Sequence, residues 1–260
     1  VYNLAEVFFN NKKFKLAKKA YEYIISKGEK NIFYIDANIQ KLNSLTQIIL
    51  NENRELDILD VEYSEIINDL GLSKHSISLM TSYAHFKAFY LNDLIAADSI
   101  LKLTMRIFPH DIYEMAKCKM EYGDVLLMQG KVWESMLYFS QIEKEFKEHP
   151  LGHEAKLRVA KISYYHGDFE WAQAQLATLK ASTSKLIAND AMDLSLLITD
   201  NYNLDTTEIS MRTFAKADLL NYQKKYNSAI LKYDSVLFSF PGHSLSDEIL
   251  MRKADIFLNL

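Results

Sequence analysis

One spacing of apolar positions recurs along the chain. A large apolar residue is followed by a small residue three later, a large one four after that, and an apolar one three further on. The pattern reads Phe14, Ala17, Tyr21, Ile24, then Leu94, Ala97, Leu101, Thr104. It returns as Val132, Ser135, Phe139, Ile142, as Phe169, Ala172, Leu176, Leu179, and as Tyr226, Ala229, Tyr233, Val236. Offsets of three, seven and ten fall on one face of an α-helix, which turns once in about 3.6 residues. The small member carries the most information, because Ala17, Ala97, Ser135, Ala172 and Ala229 would let a neighbouring helix approach closely. A weaker copy, Leu56, Leu59, Tyr63, Ile66, has lost the small residue.

Each full copy follows a second amphipathic segment that also has a small residue near its middle: Ala5, Gly123, Ala160 and Ala217. In the segment before Leu94, His85 stands at that register. Short polar turns separate the two segments, at Asn10-Asn11-Lys12, Gln129-Gly130-Lys131, His166-Gly167-Asp168 and Gln223-Lys224-Lys225. Gly130 and Gly167 stand where a helix ends on a left-handed residue. Pro109, Pro150 and Pro241 follow the second helices and are expected to end them, since proline cannot continue the hydrogen-bond ladder.

The copies starting at Leu94, Val132 and Phe169 are 38 and 37 residues apart. The 80 residues from Phe14 to Leu94 leave room for one degenerate repeat, with helices around 31–51 and 56–70. The 57 residues from Phe169 to Tyr226 hold one repeat and about 20 more. These extra residues read as an inserted helix over 184–201, with Leu186, Ala191, Leu194 and Leu197 on its apolar side and a bend in the array there. The organisation is therefore repeats over 1–183, degenerate over 31–71, then an inserted helix over 184–203. A further repeat and the start of the next fill 204–260. Val1 and Leu260 read as cuts through a longer protein.

The stretches GKVWESMLYFSQI, GDFEWAQAQLATL and KKYNSAILKYDSVLFSFP, each a turn and a second helix, resemble the tetratricopeptide repeat. The likeness covers most of the chain. The repeat length, slightly above the family's roughly 34 residues, and the stretches HPLGHEAKLRVAKISYYHGDF and FPGHSLSDEILMRKADIF are similar to the longer-turn subgroup of bacterial envelope assembly factors. The resemblance implies an all-α fold: an α-solenoid of antiparallel helix pairs in a right-handed superhelix. It also implies a concave groove lined by first helices that receives a protein or peptide partner, and it favours a periplasmic or cell-envelope setting, with a cytoplasmic one left open. The replacement of the family's glycine or alanine by His85, and turns without glycine, depart from the pattern.

Composition narrows the chemistry. Glycine and proline are too sparse, at seven and three, for the many tight turns of an all-β fold. A formal net charge of −4 and a pI near 6.0 argue against a nucleic-acid partner, which calls for a dense basic face. The lysines of 12–19 read as a solvated helix face. No run approaches the roughly 18 apolar residues of a membrane span. Cys118, the single cysteine, is read as a buried helix residue. His149 and His153 have a metal-compatible spacing, but Pro150 and Gly152 lie between them and no third ligand stands near, so both are placed in an inter-repeat turn. Phosphate-binding, dinucleotide-binding and nucleophile-elbow patterns are absent from the sequence, and no catalytic residue or cofactor is nominated.

Aromatic residues remain, 16 Tyr and 14 Phe, several of them adjacent near the ends of first helices. By the family resemblance Tyr90, Asp124, Lys161, Tyr164, Tyr165 and Tyr222 are the groove candidates; the alternative is that these aromatics fill gaps between repeats. The function expected is a non-catalytic scaffold that binds a protein or peptide. Two rival readings are a peptide-sensing regulatory receptor and a non-catalytic helical region of a larger enzyme. A third, a HEAT-type solenoid, would lack the phased small residues.

Overall fold

The first residue of every full copy of the motif opens a helix in the structure, a computed structural model that describes residues 1–52, 56–72, 76–107, 112–180, 184–202 and 208–259. Phe14, Leu94, Val132, Phe169 and Tyr226 begin α2 (Phe14–Ile25), α6 (Leu94–Ile107), α8 (Val132–Glu145), α10 (Phe169–Leu179) and α13 (Tyr226–Ser239). The small residue and the large one after it are buried without exception in these five helices. The fold is all-α and solenoid-like, with helices packing on their neighbours in chain order; among the described residues there is no strand.

The chain divides into two compact units, with the division inside α7 (Ile112–Met128), between Glu121 and Tyr122. In the first unit α1 (Tyr2–Asn10) pairs with α2, and α2 packs on α3 (Tyr34–Glu52). There follow α4 (Asp57–Leu70), which carries the weak copy of the motif, and α5 (Ile77–Phe89), which pairs with α6. One core gathers Ala5, Ala17, Tyr21 and Ile24; another gathers Leu42, Leu59, Tyr63 and Phe86. The degenerate repeat thus keeps both of its helices although it has lost its small residue.

The second unit runs from the end of α7 through α8, α9 (Pro150–His166), α10, α11 (Lys185–Tyr202), α12 (Ile209–Tyr222), α13 and α14 (Leu245–Asn259). One continuous core joins α9 to α14. Gly123 is needed here for space: a Cβ on it would stand 2.5 Å from the buried ring of Phe139, and Ser135 Oγ donates to the Gly123 carbonyl at 2.7 Å. This is the close helix approach that the phased small residues imply.

The inserted helix is present as α11, packed beside α10 through Gln173, whose amide donates to Ser195 O and Thr199 Oγ1 and accepts from Ser195 Oγ. Its inward face differs from the expected one. Ala191 is buried as expected, but Leu186 is 72% exposed and Leu194 and Leu197 are only half-buried, while Ile187, Ser195 and Ile198 are buried beside Ala191. On either side of Ala191 the inner face falls one residue later than a purely apolar reading gives, at Ile187, at the polar Ser195, which Gln173 satisfies, and at Ile198. α9 packs directly on α12 across the insertion in sequence.

Pro150 opens α9 at its first position instead of only ending the helix before it, so His153 falls inside α9 and not in the turn. Pro109, His75, His110 and the end of the predicted insertion at 203 lie outside the described residues.

Candidate partner-binding groove

The first helices of consecutive pairs in the second unit line a common groove of about 870 Å³, α9 and α12 with their C-terminal halves and α14 with its N-terminal half. α9 contributes Lys161, Tyr164 and Tyr165, α12 contributes Asp218, Asn221 and Tyr222, and α14 contributes Asp247, Glu248, Met251 and Arg252. α11 supplies a further wall with Asp190, Asp193, Leu194, Leu197 and Asp200. The inserted helix is therefore part of the groove and not only a spacer.

Four of the six sequence-nominated residues come together here, and they do different things. Tyr164 is only 1% exposed; its hydroxyl donates to Asp218 Oδ2 at 2.8 Å. Tyr233 donates to the other carboxylate oxygen, and Arg252 Nε lies 3.4 Å from it. Asp218 is buried, and burial raises its carboxyl above the ordinary value, opposed by Arg252 and by the two phenols. The groove floor at this point is a satisfied polar network, so Tyr164 positions and Tyr165, half-buried beside it, presents surface.

Tyr222 donates to Asp124 Oδ1 at 3.0 Å. Asp124 is itself buried and takes Arg158 Nε at 3.0 Å on both oxygens, while Arg158 Nη1 reaches Glu154 at 2.9 Å. Asp124 thus braces Tyr222 from beneath and is not among the groove-lining residues. Gln223, next in sequence, donates to the Leu127 carbonyl at 2.9 Å and fixes the same corner. Lys161 has its ammonium pKa lowered by burial, with Asp190 opposing the shift. Among the described residues no carboxylate stands within ion-pair distance of Lys161 Nζ.

Tyr90 belongs to the first unit, where it caps α5, stacks on Phe86 with ring centroids 5.8 Å apart, and lines a cavity of about 390 Å³ with Tyr63, Thr46 and His85. His85 is exposed and hydrogen-bonded to Glu121 Oε1 at 2.9 Å. The close-approach position of α5 is taken by the fully buried Ala84, because the turn to α6 closes one residue further back: Asp93 N–H reaches six residues to the Lys87 carbonyl, where the other turns reach five. The departure at His85 is therefore a shift of register, and the small residue is retained.

The remaining chemistry is structural. Cys118 is buried and its thiol is pushed up to about 12 by burial, which removes the thiolate at neutral pH. His149 Nδ1 accepts from the Leu151 amide at 3.1 Å and so N-caps α9, and His243 Nδ1 accepts from the Leu245 amide, the first of α14, at the same distance. Among the described residues there is no group of three or more His, Cys, Asp or Glu able to hold a metal, and no helix is long and apolar enough to cross a membrane.

The sequence reading missed Asp218, Arg252 and the carboxylates of α11. A signal for the first was available: Glu6 and Asp218 each follow the small residue of a first helix and each accept from a buried tyrosine 15 residues on, Tyr21 and Tyr233. Compared with models of known protein families the chain matches none, and compared with curated proteins it again finds no match.

Proposed function

We propose that the chain is a tetratricopeptide-like scaffold that binds a protein or peptide partner along the groove between α9, α11, α12 and α14, without chemistry of its own. The observation that carries this reading is the alignment of Lys161, Tyr165 and Tyr222 from successive first helices along one groove, over a floor fixed by the hydrogen bonds of Tyr164 to Asp218 and of Tyr222 to Asp124. A preformed surface of this kind binds at a low ordering cost, and aromatic residues over a rigid floor are what partner hot spots use.

A catalytic reading has less support. Burial raises the Asp218 carboxyl, but its oxygens are already occupied by Tyr164, Tyr233 and Arg252. The bacterial-envelope setting, the right-handed superhelix and the family itself rest on the likeness of the repeats to the long-turn subgroup. A pull-down from native membranes and lysate, comparing the chain with a Lys161→Ala/Tyr165→Ala variant, tests the reading. Loss of a specific partner with helicity retained is the expected result. Undiminished recovery would remove the groove from consideration.

A further inference from the structure

The groove is charged strongly in one sense. Its lining holds six carboxylates, Asp190, Asp193, Asp200, Asp218, Asp247 and Glu248, against two cations, Lys161 and Arg252. Arg252 is paired with Asp218. Among the described residues the other five carboxylates take part in no hydrogen bond or ion pair; Lys161 acts on Asp190 and Arg252 on Glu248 at longer range, and most of the negative charge faces the opening. Asp190, Asp193 and Asp200 stand at offsets of zero, three and ten, on one face of α11, and span about 15 Å at 1.5 Å per residue. Leu194 and Leu197 lie between them, and Met251 and Tyr165 complete an apolar strip along the same opening.

We infer that the occupant of this groove is a linear basic segment of a partner protein, with two or three lysine or arginine residues around an apolar one. This rests on the groove reading given above and specifies it. Three carboxylates spread over about 15 Å cannot converge on one cation, but an extended peptide at roughly 3.3 Å per residue passes all of them in about five residues. An arginine in such a segment meets carboxylates at the rim and tyrosine faces on the floor, and each favours a guanidinium. Nucleic acid and acidic peptides are repelled by the same charges.

Panning a random nine-residue peptide library on the 260-residue chain at low salt tests the inference. Three variants accompany it: Asp190→Asn/Asp193→Asn/Asp200→Asn, a charge-matched control Glu134→Gln/Glu145→Gln/Glu148→Gln outside the groove, and Leu196→Trp/Met251→Trp, which fills the groove without changing charge. Circular dichroism confirms that each retains its helicity. The expected binders carry net positive charge, lose about tenfold in affinity on the α11 triple variant, keep it on the control, and are blocked by the filled groove. They also weaken steeply with added salt. Neutral or acidic binders that the filled groove blocks would overturn the basic-segment inference and leave the groove reading standing. Equal loss on the two triple variants would show attraction to overall charge only and would also overturn it. Binders indifferent to the filled groove would remove both readings.

Discussion

Asp218 and Glu6 stand one residue beyond the small side chain of their helices, where the chain turns from close helix contact toward the groove side. Each takes the hydroxyl of a fully buried tyrosine from the paired helix. Asp218 goes further and binds Tyr164 and Arg252 as well, so it joins α9, α12, α13 and α14 through one carboxylate. Removing it strands two buried phenols and a guanidinium that keeps partial contact with solvent. Asp218→Ala is expected to cost about 3–5 kcal/mol in urea unfolding. The same residue sets a pH dependence. Burial raises its folded-state carboxyl above 3.8, so the folded chain binds this proton more tightly than the unfolded one. The stability owed to Asp218 is therefore highest at acid pH and falls as pH rises from about 3.8 through the folded value, then stays level. The difference in unfolding free energy between the native chain and Asp218→Asn should follow that curve; a difference rising with pH over the window would show that the ion pair with Arg252 outweighs burial. None of these partners was legible as a set, because they come from positions 15, 34 and 54 residues away. What was legible was the helical face each sits on.

Between the helices of a pair, one turn geometry is repeated. Lys12, Gly130, Gly167 and Lys224 have φ of 57°, 83°, 88° and 57°, and in each turn the next residue's amide reaches back five residues to a helix carbonyl. Asn92 takes the same left-handed conformation in the longer turn before α6. This is the glycine-type helix stop, built at three of five places without glycine. The left-handed conformation costs an ordinary side chain about 1–2 kcal/mol, partly offset by the extra freedom that glycine gives the unfolded chain. Lys12→Gly and Lys224→Gly are each expected to raise stability by about 0.5–1 kcal/mol, read as a higher urea midpoint at constant slope. Gly167→Ala should lose slightly more than Gly130→Ala, because a Cβ at Gly167 would lie 2.3 Å from Arg212 Nη1, which must swing aside, while at Gly130 the nearest atom is Gln223 Nε2 at 4.0 Å. The starts of α2, α6, α8, α10 and α13 were readable since the motif's first residue is the helix's first residue. Two details were not. A turn closing one residue further back moved the small position from His85 to Ala84. In α11 the adjacent Leu186 and Ile187 are both apolar, and only the buried Ser195, held by Gln173, decides which one faces in.

At the scale of the whole chain, helices pack on near neighbours, and stability in such an array is a sum of repeat and interface terms instead of one cooperative block. Among the described residues two cores, Ala5 to Ala37 and Leu42 to Phe86, lie within the first unit, and one, Leu157 to Ile256, lies within the second. A lesion in the core of the second unit should then stay largely within it. Hydrogen exchange followed by mass spectrometry on Asp218→Ala is expected to show faster exchange in α9, α12, α13 and α14, the four helices that Asp218 ties together. Peptides from α1, α2 and α5 should keep their native protection. Unfolding curves from probes in the two units should separate in the variant, because local opening follows local stability. Uniform acceleration across all helices would mean that the chain unfolds as one block, and the groove could then not loosen independently of the first unit. Independence matters for the proposed role: the frame of α9, α11, α12 and α14 would then keep the groove preformed through the packing of its own unit.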